Sequence, residues 1–176
     1  VGACLVLNPI PTHPTYLALV ENTLMSVARA RGYDNLKDAG FEDLQGFIFV
    51  SSAQSTTPFH ADADENFFFQ VHGDKSFHVY DNRDRSIASD EALEGSAVRH
   101  RNLTYDPKFD ARSTTYNLRP GDGVFVPYQW PHWVRTADSY SISLSLTWKS
   151  PEVRRRNDIF TVNSMLRGLG IPQDPP

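Results

Sequence analysis

Apolar residues along the chain change their period once, from a helical spacing near the N-terminus to an alternation of two that continues to about residue 148. Residues 3–7 read as a short strand that stops at Asn8-Pro9. Over residues 14–31, Leu17, Val20, Leu24 and Val27 recur three or four apart, the stripe of one helix face. Pro14 suits the first turn of that helix and Gly32 its C-terminal cap. Short strands follow at 46–52, 58–62, 66–72, 75–81, 114–118, 123–127, 132–136 and 140–148, separated by Gly, Pro, Asp and Asn. This spacing of strands predicts an antiparallel sandwich or small barrel. The cleanest alternation is the last, where Ile142, Leu144, Leu146 and Trp148 share one face and Ser141, Ser143, Ser145 and Thr147 the other.

Residues 82–112 break the rhythm. They are charged, weakly periodic and long for a hairpin connection, and so read as an insertion on the barrel rim, where recognition loops commonly sit. A final helix is expected over 151–167, with Ser150 as N-cap and Gly168 or Gly170 near its end. The whole, 1–176, fits one domain with its core at about 46–148.

Composition narrows the picture modestly. A net charge of −4 gives no general attraction to nucleic acid or anionic membrane, although a tRNA substrate stays open. Cys4 is the single cysteine, which excludes a disulfide framework within these residues and suits a reducing, cytoplasmic setting. No apolar run has the length of a membrane span. The chain opens on Val1, which suggests a piece of a longer protein.

The chemistry concentrates in a few residues. His60 and Asp62, two apart on an expected strand, point to the same side, and His132 lies on a later strand. Two histidines and one carboxylate form the facial set that suits non-haem Fe(II) and leaves positions open for other ligands. His-x-Asp alone is a common accidental pair, so context must decide. Lys75 shares a strand face with Phe77 and Val79, which predicts an interior amine; the plainer alternative is a solvated hairpin lysine after Gly73-Asp74. His13, His72, His78 and His100 have no metal-like spacing. Trp130 and Trp133 flank His132 and read as pocket wall or core, and Arg154, Arg155 and Arg156 as a solvated helix face.

The context is a resemblance. The segment from Gly121 through Pro127 to His132 resembles the second conserved motif of cupins: a Gly, five residues, a Pro, and a metal-binding His five positions on. The segment from Thr57 to Lys75 (TPFHADADENFFFQVHGDK) resembles the signature of JmjC oxygenases, in particular the branch of the asparaginyl hydroxylase of hypoxia-inducible factor. The resemblance implies a mainly β, double-stranded β-helix fold with an N-terminal and a C-terminal helix. It implies an Fe(II)- and 2-oxoglutarate-dependent dioxygenase that uses O2, with iron held by His60, Asp62 and His132. It also implies that Lys75 and Thr57 hold the distal carboxylate of 2-oxoglutarate, with Asn66 near its metal-proximal end. One position departs from the pattern: Leu146 stands where the branch carries an Asn, which suggests a co-substrate pocket that is drier on that side or hydrogen-bonded there by another residue. The expected substrate is a small molecule or a protein, and related proteins suggest a homodimer through the C-terminal helix. Two other readings stand beside this one: a metal cupin without 2-oxoglutarate chemistry, and a non-catalytic cupin-fold binding module.

Overall fold

Nine strands and three α-helices form among the described residues of the computed structural model, which are 2–7, 14–99 and 101–173. In chain order they are β1 (Cys4–Leu7), α1 (Pro14–Ala30), β2 (Glu42–Ser51), β3 (Thr56–His60), β4 (Glu65–His72), β5 (Lys75–Val79), α2 (Asp90–Arg99), β6 (Thr114–Leu118), β7 (Gly123–Val126), β8 (His132–Thr136), β9 (Ser141–Lys149) and α3 (Pro151–Gly168). The end of the first strand at Asn8-Pro9, together with His13 and His100, lies outside the described residues.

The strands pair antiparallel in two sheets, β1-β2-β9-β4-β7 and β3-β8-β5-β6. Phe68, Val124 and Val126 from the first sheet pack against Phe77, Val79 and Val134 from the second, so the sheets face each other. This is the double-stranded β-helix, or jelly roll. Apolar contact between facing sheets drives such closure, since each sheet otherwise leaves one face in water.

The N-terminal helix covers the outside of the larger sheet. Val20, Leu24 and Ala28 bury against Phe41, Leu146 and Trp148, with the Phe41 and Trp148 rings edge to face at 5.0 Å. Consequently the apolar phase of β9 points out of the barrel, under α1. Its polar phase lines the interior, where Ser143 is 0% exposed. Hydroxyls inside a barrel are tolerable only with partners or a wet cavity. Ser143 donates to Gln70 Oε1 at 2.8 Å, and Ser145 donates to Asn66 Oδ1 at 2.7 Å.

Two segments depart from the expected strand pattern. Residues 82–112 are not structureless: they contain α2 and a 3-10 turn, Pro107–Arg112, capped by Asp106. The weak periodicity hid α2, because its buried face mixes Leu93 with Glu94 and Ser96. Likewise β3 stops at His60, two residues earlier than expected, so Asp62 sits beyond the strand. The C-terminal helix has the expected cap, Ser150, whose side chain accepts from the Val153 N–H.

Candidate metal centre

A bulge in β3 aims the first histidine. Thr57 pairs with Val134 and His60 with His132, and the register shifts between them. In a regular strand, residues three apart face opposite ways; the extra residue in the bulge lets Thr57 and His60 both face the barrel interior while Phe59 buries outside with Tyr80. Pro58, which cannot donate to a ladder, sits in that bulge. His132 opens β8 directly opposite His60, and their rings lie 4.2 Å apart between centroids.

Asp62 completes the group from the connection after β3. His60 Nε2 lies 3.5 Å from Asp62 Oδ1, and His132 Nε2 lies 3.7 Å from Asp62 Oδ2. One ligand atom from each of the three falls within 4.8 Å of the others. Both imidazoles are oriented by the other ring nitrogen. His60 Nδ1 lies 2.7 Å from the Pro58 carbonyl, and His132 Nδ1 lies 2.9 Å from the Trp130 carbonyl. A carbonyl only accepts, so each Nδ1 carries a proton and each Nε2 is turned toward Asp62. His132 also stacks on Phe77 at 5.1 Å. Burial, reinforced by His60 and opposed by Asp62, holds its pKa well below the ordinary imidazole value. It is thus neutral at pH 7, the form that binds a metal.

The three open onto a cavity of about 660 Å³ that runs down the barrel axis, and Lys75, Thr57 and Asn66 line the same cavity. Lys75 is 5% exposed; its Nζ donates to Ser51 Oγ at 3.3 Å and lies 5.4 Å from the Phe68 ring centre. No carboxylate pairs with it among the described residues. Burial, opposed by the nearby Cys4, therefore dominates and lowers its pKa to about 8. Such a cation without a counter-charge is suited to an anionic ligand. Asn66 bridges the two ends, accepting from Ser145 and reaching Asp62 Oδ2 at 3.5 Å.

Ser145 and Thr147 also line the cavity, and they were missed as site residues. Their signal was present in the alternation of β9, whose polar phase had simply not been assigned to the inside. The Thr147 hydroxyl is buried without a hydrogen-bond partner among the described residues, so it is available to a ligand. Leu146, by contrast, is 0% exposed beneath α1 and does not touch the cavity. Of the two expectations for that side of the pocket, the structure fits hydrogen bonding by other residues and not drying: the residues that face inward there are the two polar neighbours of Leu146.

Other expected features resolve without chemistry. Trp133 stacks on His78 outside the barrel at 3.8 Å and donates to the Tyr80 hydroxyl, while Trp130 packs beside the Phe68 cluster. His72 stacks on Tyr140. Asp64 lies 3.5 Å from Lys149 Nζ, and both line the cavity. Arg154 is not merely solvated, since it pairs with Glu42 and Asp43. Tyr105 and Phe109 pack against Phe59.

The sequence profile described as "Cupin-like domain" matches residues 28–153. The chain belongs to that family. Lysine-specific demethylase 8 of Xenopus tropicalis is 29% identical to this cupin-like chain over 128 residues, 66% of the chain and 28% of that protein. HSPB1-associated protein 1 of Rattus norvegicus is 31% identical over 121 residues, 61% of the chain and 25% of that protein. The chain thus spans only about a quarter of the length of the curated relatives it matches. With these relatives, the JmjC-type cupin resemblance of the sequence holds. Among solved structures, the DMSP lyase DddQ of Ruegeria pomeroyi DSS-3 overlaps with a TM-score of 0.41 and 22% identity, over 62% of this chain and 40% of that one. An oxalate decarboxylase of Lactobacillus farciminis gives 0.44 and 13%, over 64% and 25%. Both overlaps are partial. No helix among the described residues is long and apolar enough to cross a membrane.

Proposed function

We propose that this domain is an Fe(II)- and 2-oxoglutarate-dependent dioxygenase that hydroxylates a protein side chain or a small molecule, with conversion of 2-oxoglutarate to succinate and CO2. The observation that carries the reading is that two histidines and a carboxylate share one cavity with a buried lysine that no carboxylate pairs among the described residues. His60, Asp62 and His132 would hold the iron on one face, leaving sites open on the other. Bound there, the metal and co-substrate together supply O2 activation and oxidation of a C–H bond. This chain's residues do the rest. Lys75 and Thr57 would bind the distal carboxylate of 2-oxoglutarate in the depth of the barrel. Asn66, held by Ser145, would orient the end nearer the metal, and Phe49, Phe68 and Phe77 exclude water around it.

The expected result is succinate release from 2-oxoglutarate that depends on added Fe(II), rises with the right substrate and disappears in His60→Ala and His132→Ala. Lys75→Ala should keep metal binding and steeply raise the 2-oxoglutarate requirement, since removing one partner of a buried charged pair costs roughly 3–5 kcal/mol. Metal binding with no succinate under any substrate would instead favour a plain metal cupin. Because one relative is named a lysine-specific demethylase, methyl-lysine peptides belong in the substrate screen beside unmodified peptides, tRNA and free amino acids. The exposed residues Val162 and Met165 on α3, with Leu169 at its C-cap, support a homodimer, which light scattering at micromolar concentration tests.

A further inference from the structure

The two histidines of the metal group sit opposite each other on paired strands, so the ladder fixes them. Asp62 has no such support. It lies in the connection between β3 and β4, where backbone carbonyls are free to take partners from elsewhere. Three consecutive carbonyls there are each claimed by a different element. The Ser96 hydroxyl on α2 donates to the Ala61 carbonyl at 2.9 Å. The Gln129 N–H, in the turn before β8, donates to the Asp62 carbonyl at 3.1 Å. The Asn157 side-chain amide on α3 donates to the Ala63 carbonyl at 2.9 Å.

The donors are themselves locked. Gln129 is buried at φ 59°, a left-handed conformation uncommon for a residue with a side chain, and its Nε2 donates to the Leu93 carbonyl on α2 at 2.9 Å. Asn157 accepts from the Tyr128 hydroxyl at 2.9 Å. Helices α2 and α3 are joined through the buried Glu94 carboxylate, which accepts from Asn163 at 3.1 Å and from Arg167 at 2.8 Å. A backbone strained at Gln129 and pinned on both sides marks a place where geometry, more than stability, is being held.

We propose that Ser96, Gln129 and Asn157 are positioning residues for the Asp62 carboxylate, and that the α2–α3 pair is the clamp that sets metal affinity. The proposal rests on the reading of His60, Asp62 and His132 as a metal group. It gives residues 82–112 a role other than substrate recognition: α2 acts on the metal through the main chain. Outer groups that orient ligands typically change metal affinity about 10- to 100-fold when removed.

Mn(II) alone serves as the probe, titrated into the protein and followed by its EPR signal, with thermal unfolding measured in parallel. Ser96→Ala and Asn157→Ala should each weaken Mn(II) binding about tenfold, and Ser96→Thr, which keeps a hydroxyl, should restore it. Arg154→Ala on the same helix α3 loses the ion pairs with Glu42 and Asp43 without touching residues 61–63, and should bind Mn(II) as the unaltered chain does. If Asn157→Ala does not fold, Ser96→Ala decides alone. Variants that lose stability yet bind Mn(II) within twofold of the unaltered chain overturn the proposal while leaving the metal reading intact. Failure of the unaltered chain to bind Mn(II) overturns both.

Discussion

Lys75 illustrates how one residue carries a conflict that a ligand would resolve. Its ammonium is removed from water, donates to one hydroxyl and faces a phenyl ring. Because its pKa in the folded chain is about 8, well below the ordinary lysine value of 10.5, the folded state binds fewer protons than the unfolded state between those values. Stability contributed at this site therefore rises with pH across that window, and below pH 8 the buried charge is a full burden. Lys75→Met should thus be more stable than the unaltered chain below pH 8, with the advantage shrinking toward pH 10, as read by urea unfolding at several pH values. The same titration predicts the opposite trend for ligand: an added dicarboxylate should bind more weakly as pH rises past 8, and Lys75→Met should lose that dependence. The interior placement of Lys75 was legible in the sequence, because alternation with Phe77 and Val79 leaves it no other face. What was not legible is that the Ser51 hydroxyl, from the other sheet, accepts from its ammonium, since pairing across sheets leaves no mark in local spacing.

At the scale of elements, alternation revealed the strands but not which phase faced in. In β9 the apolar phase goes to the helix and the polar phase to the cavity, so the rule that apolar residues face the barrel interior inverts where a helix covers the outside. That inversion separates stability from chemistry. Leu24→Ala, in the α1 core against Leu146 and Trp148, should cost about 2–5 kcal/mol in urea unfolding while leaving metal affinity unchanged. The bulge in β3 was equally hidden, because Pro58-Phe59 reads locally as ordinary strand, and its effect appears only in the pairing with β8. The β4–β5 hairpin is more transparent. Gly73 adopts φ 68°, and a Cβ there would run into the Tyr140 carbonyl oxygen, which is backbone and cannot swing away. Gly73→Ala should therefore destabilise by about 1–3 kcal/mol and, because Lys75 follows two residues later, loosen dicarboxylate binding as well. Calorimetric titration of both variants separates the cases: only the hairpin change should reach the cavity.

For the whole molecule the question is whether the fold needs the metal. Small metal domains that lack a core unfold when the ion is removed. Here the barrel has apolar clusters on both sides of the cavity: one under α1, one between the sheets, and one around Phe59, Tyr80 and Leu93 that backs β3. None of them includes His60, Asp62 or His132. The two histidines are aligned by backbone carbonyls, and the Asp62 connection is held by side chains from α2 and α3, so the protein's own hydrogen bonds orient the group. Treatment with EDTA should accordingly leave the far-UV circular dichroism spectrum unchanged. Adding Mn(II) should then raise the unfolding temperature by mass action, reaching about 2.7 kcal/mol of added stability at a free concentration one hundred times Kd. His132→Ala should abolish that increment. Loss of the β spectrum on EDTA treatment would mean that the metal group is a structural staple, and that the apolar clusters do not hold the barrel by themselves.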